Sequence, residues 1–250
     1  MAGTYTFGDG NLAAERLALV ADAFEASSWA LLARAVRPGV GTAIDLGCGP
    51  GYSTRLLASA CQAKETIGLD GSAQFVETAR ERNHDPNVHF EVHDVTAVPL
   101  PHAPADVIYA RLLLSHLPDP VGLTAEWRSQ LQPDGVLVLD EVEDMAVPEG
   151  ILRDYGELVV ALIAAEGAEM YAGPLLAELG GRCVDVDVDA AVAARMFGMN
   201  LMVWRNDALA RGLTDDAQLA ELAAGLDELS RHPGSSTVRW TFRQLVLRSS

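Results

Sequence analysis

The chain has 250 residues, 49% hydrophobic and 21% charged, which gives one generous core or a core with a cap and excludes disordered and collagen-like classes. Eighteen Lys and Arg against 35 Asp and Glu give a net charge of −17, a field that repels nucleic-acid phosphates and anionic lipid surfaces. No nucleic-acid or membrane partner is expected. Cys48, Cys61 and Cys183 form an odd set without a C-x-x-C pair, so neither a disulfide framework nor a structural metal is indicated. The N-terminus lacks a basic and apolar leader, and apolar helical runs such as Leu158 to Ala165 fall far short of the roughly 20 residues that span a bilayer. A cytoplasmic protein is expected, as monomer or homodimer.

From Leu12 to Val36, apolar residues such as Leu17, Val20, Phe24, Leu31 and Leu32 recur at helical spacing, which predicts two helices before the first strand. Thr42 to Leu46 reads as a strand that runs into the glycine loop Gly47-Cys48-Gly49-Pro50-Gly51, with a helix from about Ser53. The beat repeats: strand at Thr66 to Asp70, helix at Ser72 to Arg82, then strands at Val88 to Val92 and Asp106 to Ala110. A helix at about Val121 to Leu131 and a strand at Val136 to Glu141 complete it. Strands alternating with helices make βαβ units, so the fold class is α/β with a doubly wound parallel sheet.

Beyond Glu141 the pattern changes. Gly150 to Ala165, Pro174 to Leu179 and Arg195 to about Ser230 read as helical, with strands at Cys183 to Asp189 and Thr237 to Leu247. These helices, with the N-terminal pair, are assigned to a cap over the sheet. The expected organisation is one domain over 1–250: a helical lid at 1–37, a cofactor-binding core at 38–145, and a C-terminal part at 146–250 carrying the cap insertions and last two strands.

A glycine loop between strand and helix lets a ligand approach the backbone. Here the third glycine comes early, in Gly47-x-Gly49-x-Gly51, and Asp45 precedes the first glycine by two residues. A pyrophosphate on the helix N-terminus gains nothing from an adjacent carboxylate, whereas an ammonium or sulfonium does. Asp70, ending the second strand, stands where an acid takes the two hydroxyls of a ribose. One acid for a cation and one for a ribose suggests S-adenosylmethionine.

Ile44-Asp45-Leu46-Gly47-Cys48-Gly49-Pro50-Gly51, Gly68-Leu69-Asp70, His93-Asp94-Val95, Ala105 to Ala110 and Leu131-Gln132-Pro133-Asp134-Gly135 occur in that order. On these motifs the sequence resembles the class I S-adenosylmethionine-dependent methyltransferases of the small-molecule type, over roughly Thr42 to Asp144. The resemblance implies strand order 3-2-1-4-5-7-6, a Rossmann-like sheet whose last strand is antiparallel. It also implies that Gly47, Gly49 and Gly51 face the methionyl part, that Asp70 binds the ribose, and that Gly71 and Phe75 flank the adenine. Asp94 would meet the adenine amino group, Val95 would offer its backbone N–H, and the Arg111 carbonyl would meet the methionyl end. Asp134 replaces the first glycine of the family's usual Pro-Gly-Gly turn.

Tyr5-Thr6-Phe7-Gly8, followed by Glu15-Arg16-Leu17, looks like the family's lid. Tyr5 is a candidate to close over the cofactor, with a disordered tail as the alternative. Asp94 doubles as a candidate helix N-cap. His116, before a Pro-Asp-Pro turn, and Glu141, with Glu143 and Asp144 at the carboxyl edge of the sheet, are candidate general bases; a structural hydrogen-bond partner and a solvated acidic turn are the rival assignments. Tyr155, Tyr171, Met199 and Trp204 are candidate substrate-pocket residues, core packing being their alternative. The expected activity is in-line methyl transfer to an N, O or C nucleophile of a small-molecule acceptor, without a metal. An NAD(P)-dependent oxidoreductase and a non-catalytic S-adenosylmethionine-binding protein are the alternatives.

Overall fold

The computed structural model describes residues 10–249 apart from 166, 168, 233 and 235. Helix α1 (Asn11–Ala35) precedes the first strand as one continuous element of 25 residues, not the expected pair. No glycine or proline interrupts this stretch, so nothing breaks the i to i−4 ladder. Ser27 and Ser28, indifferent helix formers at its middle, are used as polar contacts to the sheet: Ser28 Oγ donates to Asp140 Oδ2 at 2.7 Å, and Ser27 Oγ accepts from Gln244 Nε2 at 3.2 Å.

The α/β beat then follows the sequence closely: β1 (Thr42–Leu46), α2 (Tyr52–Cys61), β2 (Glu65–Asp70), α3 (Ala73–Arg82), β3 (Val88–Val92), β4 (Ala105–Arg111) and α4 (Pro120–Arg128). The strand β5 (Leu131–Ala146) is far longer than its apolar stretch suggests. Its second half is held by β7 (Thr237–Arg248), with pairing continuing past a register shift between Val142 and Asp144. Glu141, Glu143 and Asp144 therefore lie within the strand, not in a turn beyond it. Glu143 forms a two-pronged pair with Arg243 at 2.6 Å on both prongs.

The seven strands run in the order β3-β2-β1-β4-β5-β7-β6, where β6 is Arg182–Asp189. Strands β1 to β5 pair in parallel, and β7 is antiparallel to both β5 and β6. This is the expected order. Period-two alternation sorts the side chains: Ala43, Val107, Tyr109 and Val138 face Leu31 and Leu32 of α1 and Leu57 of α2. Ile44, Ile108, Leu137 and Leu139 face Trp127 of α4. Each such aliphatic burial is worth about 1.5–3 kcal/mol.

The cap comprises α5 (Ile151–Ala165), α6 (Ala190–Ala210) and α7 (Asp216–Arg231). The span expected as one helical run is two helices, because Gly212 turns left-handed at φ +68 and Asp215 caps α7 by accepting from Gln218 N. Pro174–Leu179 winds as a 3-10 helix. Val20 and Phe24 of α1 share one apolar cluster with Tyr155, Phe197, Trp204 and Trp240, so α1 packs on the sheet with one end and on the cap with the other. Among the described residues no helix is long and apolar enough to cross a membrane.

Gly68, in the middle of β2, is packed so tightly that a Cβ there would stand 2.6 Å from the Phe90 ring and 2.8 Å from Thr54 Oγ1. Gly68→Ala is expected to destabilise the fold by about 1–3 kcal/mol through overpacking. A urea unfolding midpoint equal to the wild type's would refute that account of the β2–α2 contact.

Candidate cofactor and acceptor site

The site is built on the turn between β1 and α2. Gly47, Gly49 and Gly51 have φ of +65, +51 and +87, left-handed values that favour glycine. Two are also enclosed: a Cβ on Gly47 would meet Leu113 Cδ1 at 2.6 Å, and one on Gly51 would meet the Phe90 ring at 2.9 Å. The loop lies where the strand order reverses between β1 and β4, at their carboxyl ends, the place where open α/β sheets bind ligands.

Asp45 is fully buried beneath this loop. Its Oδ2 accepts from Ser53 Oγ at 2.7 Å and Thr54 Oγ1 at 2.6 Å, both in the first turn of α2. Its Oδ1 is buried with no hydrogen-bond partner among the described residues. Burial raises its pKa to about 6 against the two hydroxyls that lower it. Asp70 closes the loop from β2: Oδ2 accepts from Gly49 N and Oδ1 from Ser72 N, both at 2.8 Å. Ser72 in turn caps α3 by accepting from Phe75 N.

Gly71 is exposed with open space around it. Phe75 is buried against Ala13, Ala14 and Leu17, so the first turns of α1 lie over this end of the cleft. Asp94 is exposed, and its Oδ1 accepts from the backbone N and the hydroxyl of Thr96, which hold the carboxyl below its ordinary value. No helix follows, so these contacts close a local turn and not the helix N-cap named as the alternative. Val95 is buried, and its carbonyl accepts from Trp127 Nε1 at 2.8 Å. The Arg111 side chain is half-buried under the sheet's α1 face, where Nη1 donates to Ser28 Oγ at 3.4 Å. Tyr5 lies outside the described residues.

A second group of candidate residues gathers around the turn after β4. Leu112 adopts φ +54, and the chain then presents the N–H groups of Leu113 and Leu114 to Glu141 Oε1 at 2.9 and 3.1 Å. Glu141 is buried, and burial raises its pKa to about 7 against these two N–H groups. His116 follows on a short 3-10 turn. The residue is exposed, and the protein around it together with the charge of Arg16 shifts its pKa downward.

Tyr155 and Trp204 come together in the cap with ring centroids 5.8 Å apart, and Asn200 Nδ2 donates to Tyr155 Oη at 3.1 Å. Tyr171 is half-buried in the segment after α5, where burial and the charge of Asp144 raise its hydroxyl pKa. Met199 lines a groove of about 290 Å³ between α6 and α7 with Met202, Ala223 and Leu226. At 100° per residue it projects about 100° away from Asn200 and about 140° away from Trp204 around α6. Ser53, Thr54, Arg16 and Asn200 were absent from the sequence candidates. Ser53 and Thr54 had a signal in their place one turn after a loop that follows an acid; Asn200 had none. Among the described residues no His, Cys, Asp and Glu group could hold a metal.

Residues 44–139 match the family model described as a methyltransferase domain. The chain is 39% identical over 119 residues to the trans-aconitate 2-methyltransferase of Variovorax paradoxus, a match covering 47% of this chain and 45% of that protein. The chain thus spans about half the length of the curated relatives it matches. In fold it is similar to a Haemonchus contortus phosphoethanolamine N-methyltransferase 2 solved with phosphomonomethylethanolamine and S-adenosylhomocysteine, with TM-score 0.53 and 16% identity over 92% of this chain and 56% of that one. It is equally similar to the [4+2]-cyclase SpnF, with TM-score 0.51 and 20% identity over 87% and 80% of the two chains. The resemblance to class I S-adenosylmethionine-dependent methyltransferases is therefore carried by the family match over the core and by the seven-stranded fold.

The Glu141 pKa gives a test of its burial. A carboxyl whose pKa is raised on folding contributes stability that is fully present below the unfolded value of 4.5 and is lost as pH rises through about 7. Relative to Glu141→Gln, which keeps the acceptor oxygen for Leu113 and Leu114, the wild type is expected to lose roughly 3 kcal/mol between pH 4 and pH 8. Denaturant melts of both proteins across that range check it; parallel curves would mean that Glu141 is solvated.

Proposed function

We propose that the chain transfers the methyl group of S-adenosylmethionine to a nucleophile of a small molecule. The observation that carries this is the buried Asp45 Oδ1, an acceptor without a partner under a glycine loop. A buried carboxylate oxygen is costly unless a donor or cation meets it, and the ammonium of the methionyl part supplies one, directly or through water. The pyrophosphate of a dinucleotide would instead face that carboxylate with like charge.

The remaining contacts fit the same ligand. Asp70 accepts from Gly49 N and Ser72 N at the end of β2, the position from which an acid takes ribose hydroxyls in such sheets. Gly71 leaves room for the adenine, and the exposed edge of Asp94 is free to meet its amino group, with Val95 N–H and the Arg111 carbonyl as the further contacts. The bound sulfonium supplies an already activated methyl, so the protein's part is to align the acceptor and exclude water. α1, covering Phe75 and touching the cap, performs the exclusion in this reading. A His116 shifted downward in pKa and a Glu141 committed to two backbone N–H groups are poor strong bases, which favours acceptors that arrive as competent nucleophiles. The trans-aconitate named for a relative is a small molecule, in line with a small acceptor here.

Calorimetry with S-adenosylhomocysteine tests the proposal. Micromolar binding that weakens at least tenfold in Asp70→Ala, about 1.4 kcal/mol, is expected. A wild type that ignores S-adenosylhomocysteine and binds NADH would reverse it, and tight binding without turnover on any acceptor would leave a binding protein instead of an enzyme.

A further inference from the structure

We propose that Glu141 is a positioning residue for the methionyl end of the cofactor: from β5 its carboxylate clamps the turn Leu112–Leu114 after β4, and that turn seats the first glycine of the β1 loop and aims the Arg111 carbonyl. This rests on the methyl-transfer reading above and adds to it a residue that acts through its neighbours, without touching the ligand.

The clamp is built from two successive amides that converge on one buried oxygen. Glu141 Oε1 accepts from Leu113 N at 2.9 Å and from Leu114 N at 3.1 Å. The residue before them, Leu112, has φ +54, a left-handed conformation that a residue with a side chain keeps only where its surroundings hold it. A buried carboxylate is likewise retained only where donors meet it. The strained residue and the buried acid account for each other.

The clamped turn reaches the loop through Leu113. A Cβ on Gly47 would stand 2.6 Å from Leu113 Cδ1 and 3.1 Å from Cδ2, so this side chain presses on the bare face of the first residue beyond β1. Asp70 holds the loop from the β2 side through the Gly49 N–H at 2.8 Å, and Asp45 ties the end of β1 to Ser53 and Thr54 of α2. Leu113 braces the loop from the β4 side.

The same turn fixes the plane of one peptide. Leu112 N donates to the Asp140 carbonyl of β5 at 3.1 Å, and the Arg111–Leu112 bond is trans. In a trans peptide the carbonyl points opposite to the N–H, so the Arg111 carbonyl is turned away from β5 and toward β1. The β1–β4 pairing ends one residue earlier, at Leu46 and Ala110. The carbonyl therefore opens past the end of that ladder, opposite the start of the glycine loop. Releasing the two amides would let Leu112 leave its left-handed conformation, and both the brace on Gly47 and the direction of the Arg111 carbonyl would go with it. Removing a general base would leave cofactor affinity alone; removing a clamp does not.

The test is calorimetric titration of the full chain with S-adenosylhomocysteine at one pH. It compares the wild type with Glu141→Gln, Glu141→Leu, Leu113→Ala and the Glu141→Leu/Leu113→Ala double variant, each checked for native circular dichroism. Glu141→Leu is expected to weaken binding about tenfold or more, and Glu141→Gln, which keeps an acceptor oxygen for the two amides, to recover most of that loss. Leu113→Ala should weaken binding about fivefold, and because both changes act through one contact the double variant should fall within about twofold of the weaker single variant. Full affinity in Glu141→Leu, a loss in Glu141→Gln equal to that in Glu141→Leu, or losses that multiply in the double variant each overturn the inference while leaving methyl transfer intact. Should Glu141→Leu not fold, Leu113→Ala decides: weakened binding supports the clamp and undiminished affinity overturns it. Failure of the wild type to bind S-adenosylhomocysteine overturns both readings.

Discussion

The site hangs on one buried carboxylate. Asp45 at the end of β1 lies out of water, at a desolvation cost that two short hydroxyl contacts from Ser53 and Thr54 partly offset. Those hydroxyls belong to the first turn of α2, so satisfying Asp45 fixes where the helix starts relative to the strand. Asp70 adds a second tie by accepting the Gly49 N–H from β2. Held from two strands, the loop has no room for side chains against Phe90 and Leu113, and its glycines are a consequence of that closeness. What remains is one buried carboxylate oxygen without a hydrogen-bond partner among the described residues.

Much of this was legible in the sequence because local chemistry and global fold agree there. β1, the glycine loop and β2 are short apolar runs punctuated by glycine and acids, and their bounds shift by a residue at most. The strand order came from resemblance and not from periodicity, since pairing partners leave no local trace in a parallel sheet. Where the reading failed, the deciding partner was distant in sequence. β5 continues through Glu143 and Asp144 because β7, about a hundred residues later, pairs with it and supplies Arg243. α1 is continuous because its central serines meet Asp140 and Gln244 rather than a turn.

The site candidates follow the same rule. Asp45 and Asp70 were readable because each neighbours the loop it serves. Met199 and Asn200 part company because an apolar stripe shows that a helix is covered but not by which neighbour; α6 has α7 on one side and Tyr155 on the other. Burial raises the Glu141 carboxyl, while the surrounding protein and the charge of Arg16 lower the exposed His116, so the two candidates shift in opposite directions for reasons set by distant residues. Asn200, a polar residue in an otherwise apolar helix, carried no spacing signal, and its orphaned oxygen exists only once α5 and α6 are packed.

α1 joins these parts mechanically. Its C-terminal half is fixed to the sheet by Leu31 and Leu32 and by a buried network in which Asp140 accepts from Ser28 and Gln244, while Gln244 accepts from Arg34. Its N-terminal half covers Phe75 on the cofactor side and packs Val20 and Phe24 into the cap. Arg16 and Ser28 are separated by roughly 18 Å of helix at 1.5 Å per residue, with no glycine or proline between them to absorb a bend. A displacement of the anchored end is therefore transmitted to the cleft. The methyl transfer proposed above needs acceptor and methyl donor close to their reactive geometry, and in that reading a straight helix anchored on the sheet positions the cap more firmly than a jointed lid would. The continuity of α1, which the sequence periodicity obscured, is the feature that ties the sheet and the cap helices to one rod.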